Sequence, residues 1–226
     1  MCGRFALTAT PEEVAALFGY LDVELFPPRY NIAPTQPIAI VRLDHDQPKF
    51  ALVRWGLLPS WVKDPKAFKL PINARVESAV DKPSFRAAFR YRRCLVPASG
   101  FYEWRRGPDN QKQPYWIRPR QGGVIAFAGL WETWSDRDGG EIDTGVILTT
   151  ASNAMLAPIH DRMPAVIPVA GFDRWLKATE NPPESVADLL APAPDGLFEA
   201  IPVSSRVNAA RNDDPDLQAP LAATGT

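Results

Sequence analysis

Short runs rich in Val, Ile and aromatic residues, each bounded by turn residues, recur along this chain with few regular helices of ten or more residues between them. They lie at residues 37–43, 50–57, 94–99, 115–118, 124–130, 145–150 and 165–168. Such side chains suit a pleated, half-buried surface, and clusters of Gly, Pro, Asn and Asp end it. A doubly wound parallel sheet needs a crossover helix after each strand. The spacing therefore disfavours that architecture and predicts a β-rich α+β domain.

The clearest helix signal is Thr10-Pro11-Glu12-Glu13, which supplies a cap, a first-turn proline and a capping-box Glu. It leads into Val14, Ala15, Leu17 and Phe18 before Gly19 ends it. Further helices are expected at 84–90, 152–156, 172–178 and 184–190. The proline-punctuated stretch 26–34 reads as a stiff connector, because proline fixes its own φ and restricts the residue before it. The expected organisation is one domain over residues 1–210, followed by a C-terminal extension, 211–226, that frays from Asp213 onward.

With 226 residues, 46% of them hydrophobic, the chain can bury a core that needs no metal or disulfide. The first residues lack the pattern of a secretory signal and no run approaches ~18 apolar residues, so the expected location is intracellular, in the cytoplasm. Two cysteines, Cys2 and Cys94, are too few for a disulfide framework. A zinc site from Cys2, Cys94, His45 and His160 lacks chelate spacing, so neither metal nor cofactor is expected. Cys94, beside Leu95 and Val96, reads as a buried strand thiol, and His45 as a solvated turn residue.

The net charge of −1 conceals an asymmetry. Residues 1–130 carry 19 Lys/Arg against 11 Asp/Glu, whereas residues 131–226 carry 6 against 15. A basic N-terminal portion permits a phosphate-binding face, since binding follows the local field. Two oppositely charged portions docked on each other would give the same counts. Basic and aromatic residues interleave around Trp55, Trp61, Lys63, Lys66 and Lys69, and again from Phe85 to Arg93, a mixture suited to single-stranded nucleic acid. A helix with Phe85, Ala88 and Phe89 inward and Arg86, Arg90 and Arg93 outward would look the same.

Four places could carry chemistry. If Met1 is removed, Cys2 presents an α-amine and a thiol together. An α-amine with a pKa of about 7.7–8.0 is roughly 10–15% neutral at pH 7, far more than a lysine. It can attack an aldehyde to form an imine, and the thiol can then close a five-membered thiazolidine. The same terminus could instead attack an acyl group. Asn73 and Arg75, two apart in an extended segment, point the same way, one suited to a small heteroatom and the other to a phosphate. Glu103 lies within the aromatic stretch Gly100-Phe101-Tyr102-Glu103-Trp104, where desolvation raises a carboxyl pKa; pairing with Arg105 or Arg106 is the structural alternative. His160, in Pro158-Ile159-His160-Asp161-Arg162-Met163-Pro164, titrates near neutrality and is a candidate acid or base.

Together, Met1-Cys2-Gly3-Arg4-Phe5, Trp55-Gly56-Leu57-Leu58-Pro59-Ser60-Trp61, Ile72-Asn73-Ala74-Arg75-Val76-Glu77, Gly100-Phe101-Tyr102-Glu103-Trp104, His160-Asp161-Arg162-Met163-Pro164 and Val203-Ser204-Ser205-Arg206-Val207-Asn208 resemble the SRAP family. These are the abasic-site shields, also called SOS-response-associated peptidases. The resemblance implies a single barrel-like domain of mostly antiparallel strands with short flanking helices. It implies a monomer with a channel for single-stranded DNA leading to Cys2, where a ring-opened abasic aldehyde is trapped as a thiazolidine. Carried over by motif, Cys2 is the nucleophile, Asn73 steadies the adduct, Glu103 assists imine formation or sensing of the lesion, and His160 helps open and stabilise the sugar. Arg4, Trp61, Arg75 and Arg162 match positions lining the DNA channel. The alternatives are a cysteine peptidase, acting on peptide bonds or on its own Met1, and a single-strand binding module in which Cys2 is incidental.

Overall fold

The computed structural model describes residues 2–221. Among them the chain forms thirteen strands and four short α-helices. The strands are β1 (Phe5–Leu7), β2 (Arg29–Ile32), β3 (Pro37–Asp44), β4 (Gln47–Trp55), β5 (Asn73–Arg75), β6 (Arg93–Ala98), β7 (Gly100–Arg106), β8 (Lys112–Pro119), β9 (Ile125–Ser135), β10 (Glu141–Ala151), β11 (Arg162–Pro164), β12 (Val166–Ile167) and β13 (Phe198–Pro202). The helices are α1 (Pro11–Phe18), α2 (Val76–Ala79), α3 (Arg86–Tyr91) and α4 (Phe172–Leu176).

Strands β10, β4, β3, β6 and β9 pair in that order, and β9 pairs back to β10, closing a barrel. Most ladders are antiparallel; β10 pairs in parallel with β4 and β5. A second sheet, in the order β13-β8-β7-β1-β2, lies against the barrel. Their shared core includes Phe5, whose ring meets Trp55 and Phe127 edge-on at 5.2 and 6.0 Å, and Phe101, which meets Phe127 at 5.9 Å. This is the expected β-rich, barrel-like fold with short helices.

Helix α1 starts as its sequence predicts. Glu13 N–H donates to Thr10 Oγ1 at 3.2 Å, Thr10 N–H donates to Glu13 Oε2 at 2.8 Å, and Gly19 closes the helix at φ 74°. Elsewhere the short elements differ from expectation. Residues 154–159 form successive turns, with Asn153 Oδ1 accepting from Leu156 N–H. Pro183–Leu190 is a 3-10 helix. The stretch 26–34 contains β2, and β1, β7, β11 and β13 carry no clear signal of their own. Phe85, Ala88 and Phe89 face inward with Arg86 and Arg90 exposed, the helical alternative of the basic aromatic stretch. Arg93 departs from that pattern because β6 begins there: it is buried, donates from Nε to Phe89 O, and lies about 5 Å from the Phe89 and Trp175 rings.

The expectation of a frayed end from Asp213 is corrected as far as residue 221; residues 222–226 lie outside the described residues. Asp213 pairs with Arg29 at 2.6 Å and accepts from the backbone N–H of Asn31 at 2.9 Å. Leu217 is fully buried with Ala6, Tyr102, Trp116, Val203 and Val207. A low-complexity, acidic composition concealed one apolar anchor and one carboxylate that bonds to the edge strand β2. Leu217→Ala is expected to lower unfolding free energy by about 2–4 kcal/mol in a denaturant titration, as truncation in a packed core does. An unpacked tail would give no measurable change.

Candidate active site

The second sheet and the barrel bring the four reactive candidates together. Cys2 lies just before β1, and Tyr102 N–H donates to Arg4 O at 2.9 Å, carrying the β1–β7 pairing toward the N-terminus. Glu103 follows on β7. Asn73 begins β5, paired with Ile147 of β10, and His160 precedes β11, which pairs with the end of β10. Two chain segments distant from Cys2 thus reach it through one strand, β10.

Asn73 Nδ2 donates to the Cys2 carbonyl at 2.7 Å, fixing the backbone that carries the nucleophile. Asn73 Oδ1 is buried and accepts no hydrogen bond among the described residues, so it offers an acceptor beside Cys2. The Cys2 side chain is fully buried, with Sγ 3.7 Å from Arg4 O. Burial raises its thiol pKa well above the ordinary value, and the Glu103 carboxylate adds to the shift. A resting thiolate is disfavoured.

Burial also pushes the Glu103 carboxyl up to about 7. Its Oε2 lies 4.0 Å from His160 Nε2. Of the alternative partners, Arg105 lies over the Tyr115 ring at 5.2 Å. His160 Nδ1 accepts from Arg162 N–H at 3.0 Å and is also 2.9 Å from Asp161 Oδ1. One nitrogen cannot accept and donate at once. The Arg162 amide is fixed in the chain, whereas the Asp161 side chain is 84% exposed and able to turn to water, so Nδ1 is the acceptor. The neutral ring then carries its proton on Nε2, toward Glu103. Burial lowers the His160 pKa, favouring that neutral form.

A groove of about 440 Å³ opens beside this acid–base pair, lined by Arg4, Glu103, Trp104, Arg106, Lys112, His160 and Asn208. A larger cleft, against α3 and the segment 183–190, lies on other residues. Of the channel candidates, Arg4 lines the groove but is held by Asn31 Oδ1 at 2.8 Å and Val207 O at 2.6 Å. Arg162 makes two bonds to Glu77, at 2.6 and 2.9 Å, and a third to Thr149 O. Arg75 is exposed on β5. Trp61 is 55% exposed, edge-on to Phe68, and does not line this groove. Sequence reasoning missed Lys112 and the groove-lining role of Trp104 and Arg106; the strand alternation of β7, had it been recognised, would have put Trp104 and Arg106 on one face. Among the described residues no group of three or more His, Cys, Asp or Glu is placed to hold a metal ion. No helix among them is long and apolar enough to cross a membrane.

These features define a barrel domain with a buried cysteine just before its first strand, a carboxyl–imidazole pair beside it and a groove that the pair shares with Arg4, Arg106 and Lys112. The chain belongs to the SOS response associated peptidase (SRAP) family, whose model matches residues 1–210. It is 37% identical over 220 residues to the abasic site processing protein YoqW of Bacillus subtilis, covering 96% of this chain and 98% of that one. It is 30% identical over 270 residues to the abasic site processing protein HMCES of Xenopus tropicalis, covering 99% of this chain and 79% of the relative. Among solved structures, a protein of Bacteroides thetaiotaomicron matches with a TM-score of 0.87 at 26% identity, over 98% of this chain and all of that one. A phage-related protein of Bordetella bronchiseptica matches with a TM-score of 0.70 at 31% identity, over 89% of this chain and 94% of that one.

The raised Glu103 pKa has a consequence for stability. An unfolded glutamate titrates near 4.5, so between pH 4.5 and about 7 the folded chain holds a proton that the unfolded chain has lost. This contribution is present below pH 4.5 and disappears as pH rises through 7. Relative to Glu103→Gln, the wild type is expected to lose on the order of 2–3 kcal/mol across that window, measured by denaturant titrations at several pH values. Parallel pH profiles would show an unperturbed carboxyl.

Proposed function

We propose that the protein captures abasic sites in single-stranded DNA as a covalent adduct on Cys2, after removal of Met1. The observation that carries this reading is the buried Cys2, tethered by Asn73 through its carbonyl and adjoining the Glu103–His160 pair. The names of the similar proteins support an abasic site as the target.

The chemistry follows from which nucleophile is active. With its thiol pKa raised, Cys2 is a poor thiolate, which favours attack by the amine first. His160, with Nε2–H facing Glu103, donates toward the sugar ring oxygen as the hemiacetal opens, and Glu103, titrating near 7, takes the hydroxyl proton. The neutral α-amine attacks the exposed aldehyde carbon. Loss of water from the carbinolamine, assisted by protonated Glu103, gives the imine. The thiol then adds across the C=N bond, sulfur to carbon and proton to nitrogen, and water is the only product released. Asn73 holds the Cys2 backbone throughout. Arg75 and Trp61 offer the strand a cation and a stacking surface, and Arg4 and Arg162 shape the walls through their protein bonds.

A peptidase reading uses the same Glu103 and His160 with an acyl target. The raised thiol pKa counts against it, although a single cleavage that removes Met1 is compatible with the site. Cytoplasmic action at the nucleoid follows from the DNA reading.

Incubating the Met1-processed protein with single-stranded DNA carrying one abasic site is expected to give a band that persists on a denaturing gel. No adduct, with turnover of a peptide, would overturn the proposal in favour of the peptidase. Cys2→Ala keeps the amine and is expected to give only a transient imine trapped by borohydride; a stable adduct from it would exclude the thiazolidine. His160→Ala is expected to slow adduct formation by about 100-fold while leaving thermal unfolding in place.

A further inference from the structure

The hairpin formed by β7 and β8 carries a charge arrangement that its own packing does not explain. Its last rung places Arg106 directly opposite Lys112, so two cations stand side by side on one face. Like charges directly opposed weaken a ladder. Neither enters an ion pair among the described residues, whereas Arg118 on the same hairpin pairs with Glu199 across the next ladder. The turn holds the rung in place: Gly107 N–H donates to Gln111 O at 2.8 Å, and Asn110 N–H donates to Gly107 O at 3.2 Å.

Both cations line the groove that Glu103 and His160 also line. Trp104, two residues before Arg106 and so on its face, is fixed by a 2.8 Å bond from Nε1 to Asn208 Oδ1. The rung is therefore a pair of exposed cations, rooted on a hydrogen-bonded hairpin, in the same groove as the acid–base pair. Side chains rooted about 5 Å apart can converge on the two non-bridging oxygens of one phosphodiester.

We propose that Arg106 and Lys112 together grip one backbone phosphate of the single strand beside the abasic nucleotide and set the register at which its aldehyde meets Cys2. This rests on single-stranded DNA being the bound molecule. The opposed charges lower hairpin stability in the free protein, and a phosphate between them offsets part of that repulsion.

The test is fluorescence anisotropy of undamaged single-stranded DNA against salt, which reads binding without the covalent step. R106Q/K112Q is expected to weaken binding about tenfold and to reduce the slope of log affinity against log salt by about 0.7, the value for one phosphate neutralised on a single strand. R106K/K112R should keep the wild-type slope, and R106Q/K112Q should unfold at the same or a higher temperature than wild type. In a series of oligonucleotides with one methylphosphonate each, one position should weaken wild-type binding and leave R106Q/K112Q unaffected. An unchanged slope in R106Q/K112Q, or losses at every methylphosphonate position that add fully to the variant's, would overturn the proposal. Strand binding with no adduct on abasic DNA would sink the capture reading instead, leaving the phosphate grip standing.

Discussion

Strand β10 is the constraint on which the rest of the molecule depends. It runs antiparallel to β9 from Glu141 to Ile147 on one edge. On the other edge it pairs in parallel with β4 and then with β5, and its last three residues pair with β11. One strand thus closes the barrel and presents both Asn73 and the segment ending at His160 to the second sheet. The packing at its middle is tight: a Cβ at Gly145 would lie 2.9 Å from Val53 Cγ2. Glycine there lets β4 approach as the ladder requires.

The electrostatics of the site follow from its position between two packed layers. Burial disfavours charge, so each ionisable group moves toward its neutral form: Cys2 and Glu103 upward, His160 downward. That environment suits chemistry by neutral groups handing protons over short paths. In the capture we propose, it suits an amine that attacks as a free base and a thiol that adds afterward better than it suits a preformed thiolate. The cationic groove outside can attract a polyanion without raising the charge of the reactive pocket itself.

The division of charge along the chain also has a structural counterpart. Arg29 pairs with Asp213, Arg42 with Asp143, and Arg118 with Glu199, each joining the basic first part to the acidic second. These pairs are partly exposed and individually small in energy. They use up some of the basic excess, while Arg106, Lys112 and Arg75 enter no ion pair among the described residues. The counts alone could not separate docking from ligand binding because the acidic partners take up some cations and leave others facing solvent.

The sequence by itself determined the β-rich class and the capped helix after Thr10, and it singled out Cys2, Asn73, Glu103 and His160 as a quartet of candidates. These are written in local signals: periodicity, capping chemistry, and residue types whose reactivity is intrinsic. Only the tertiary structure decided that β10 joins the quartet's segments, that Arg162 N–H fixes the His160 tautomer, that Leu217 anchors the acidic end, and that Arg106 faces Lys112. Strands as short as β1, β5 and β11 hold their shape through partners far away in the chain, and a pKa shift depends on what surrounds a group in space. Neither is encoded in neighbouring residues, so neither could be read before the chain was folded.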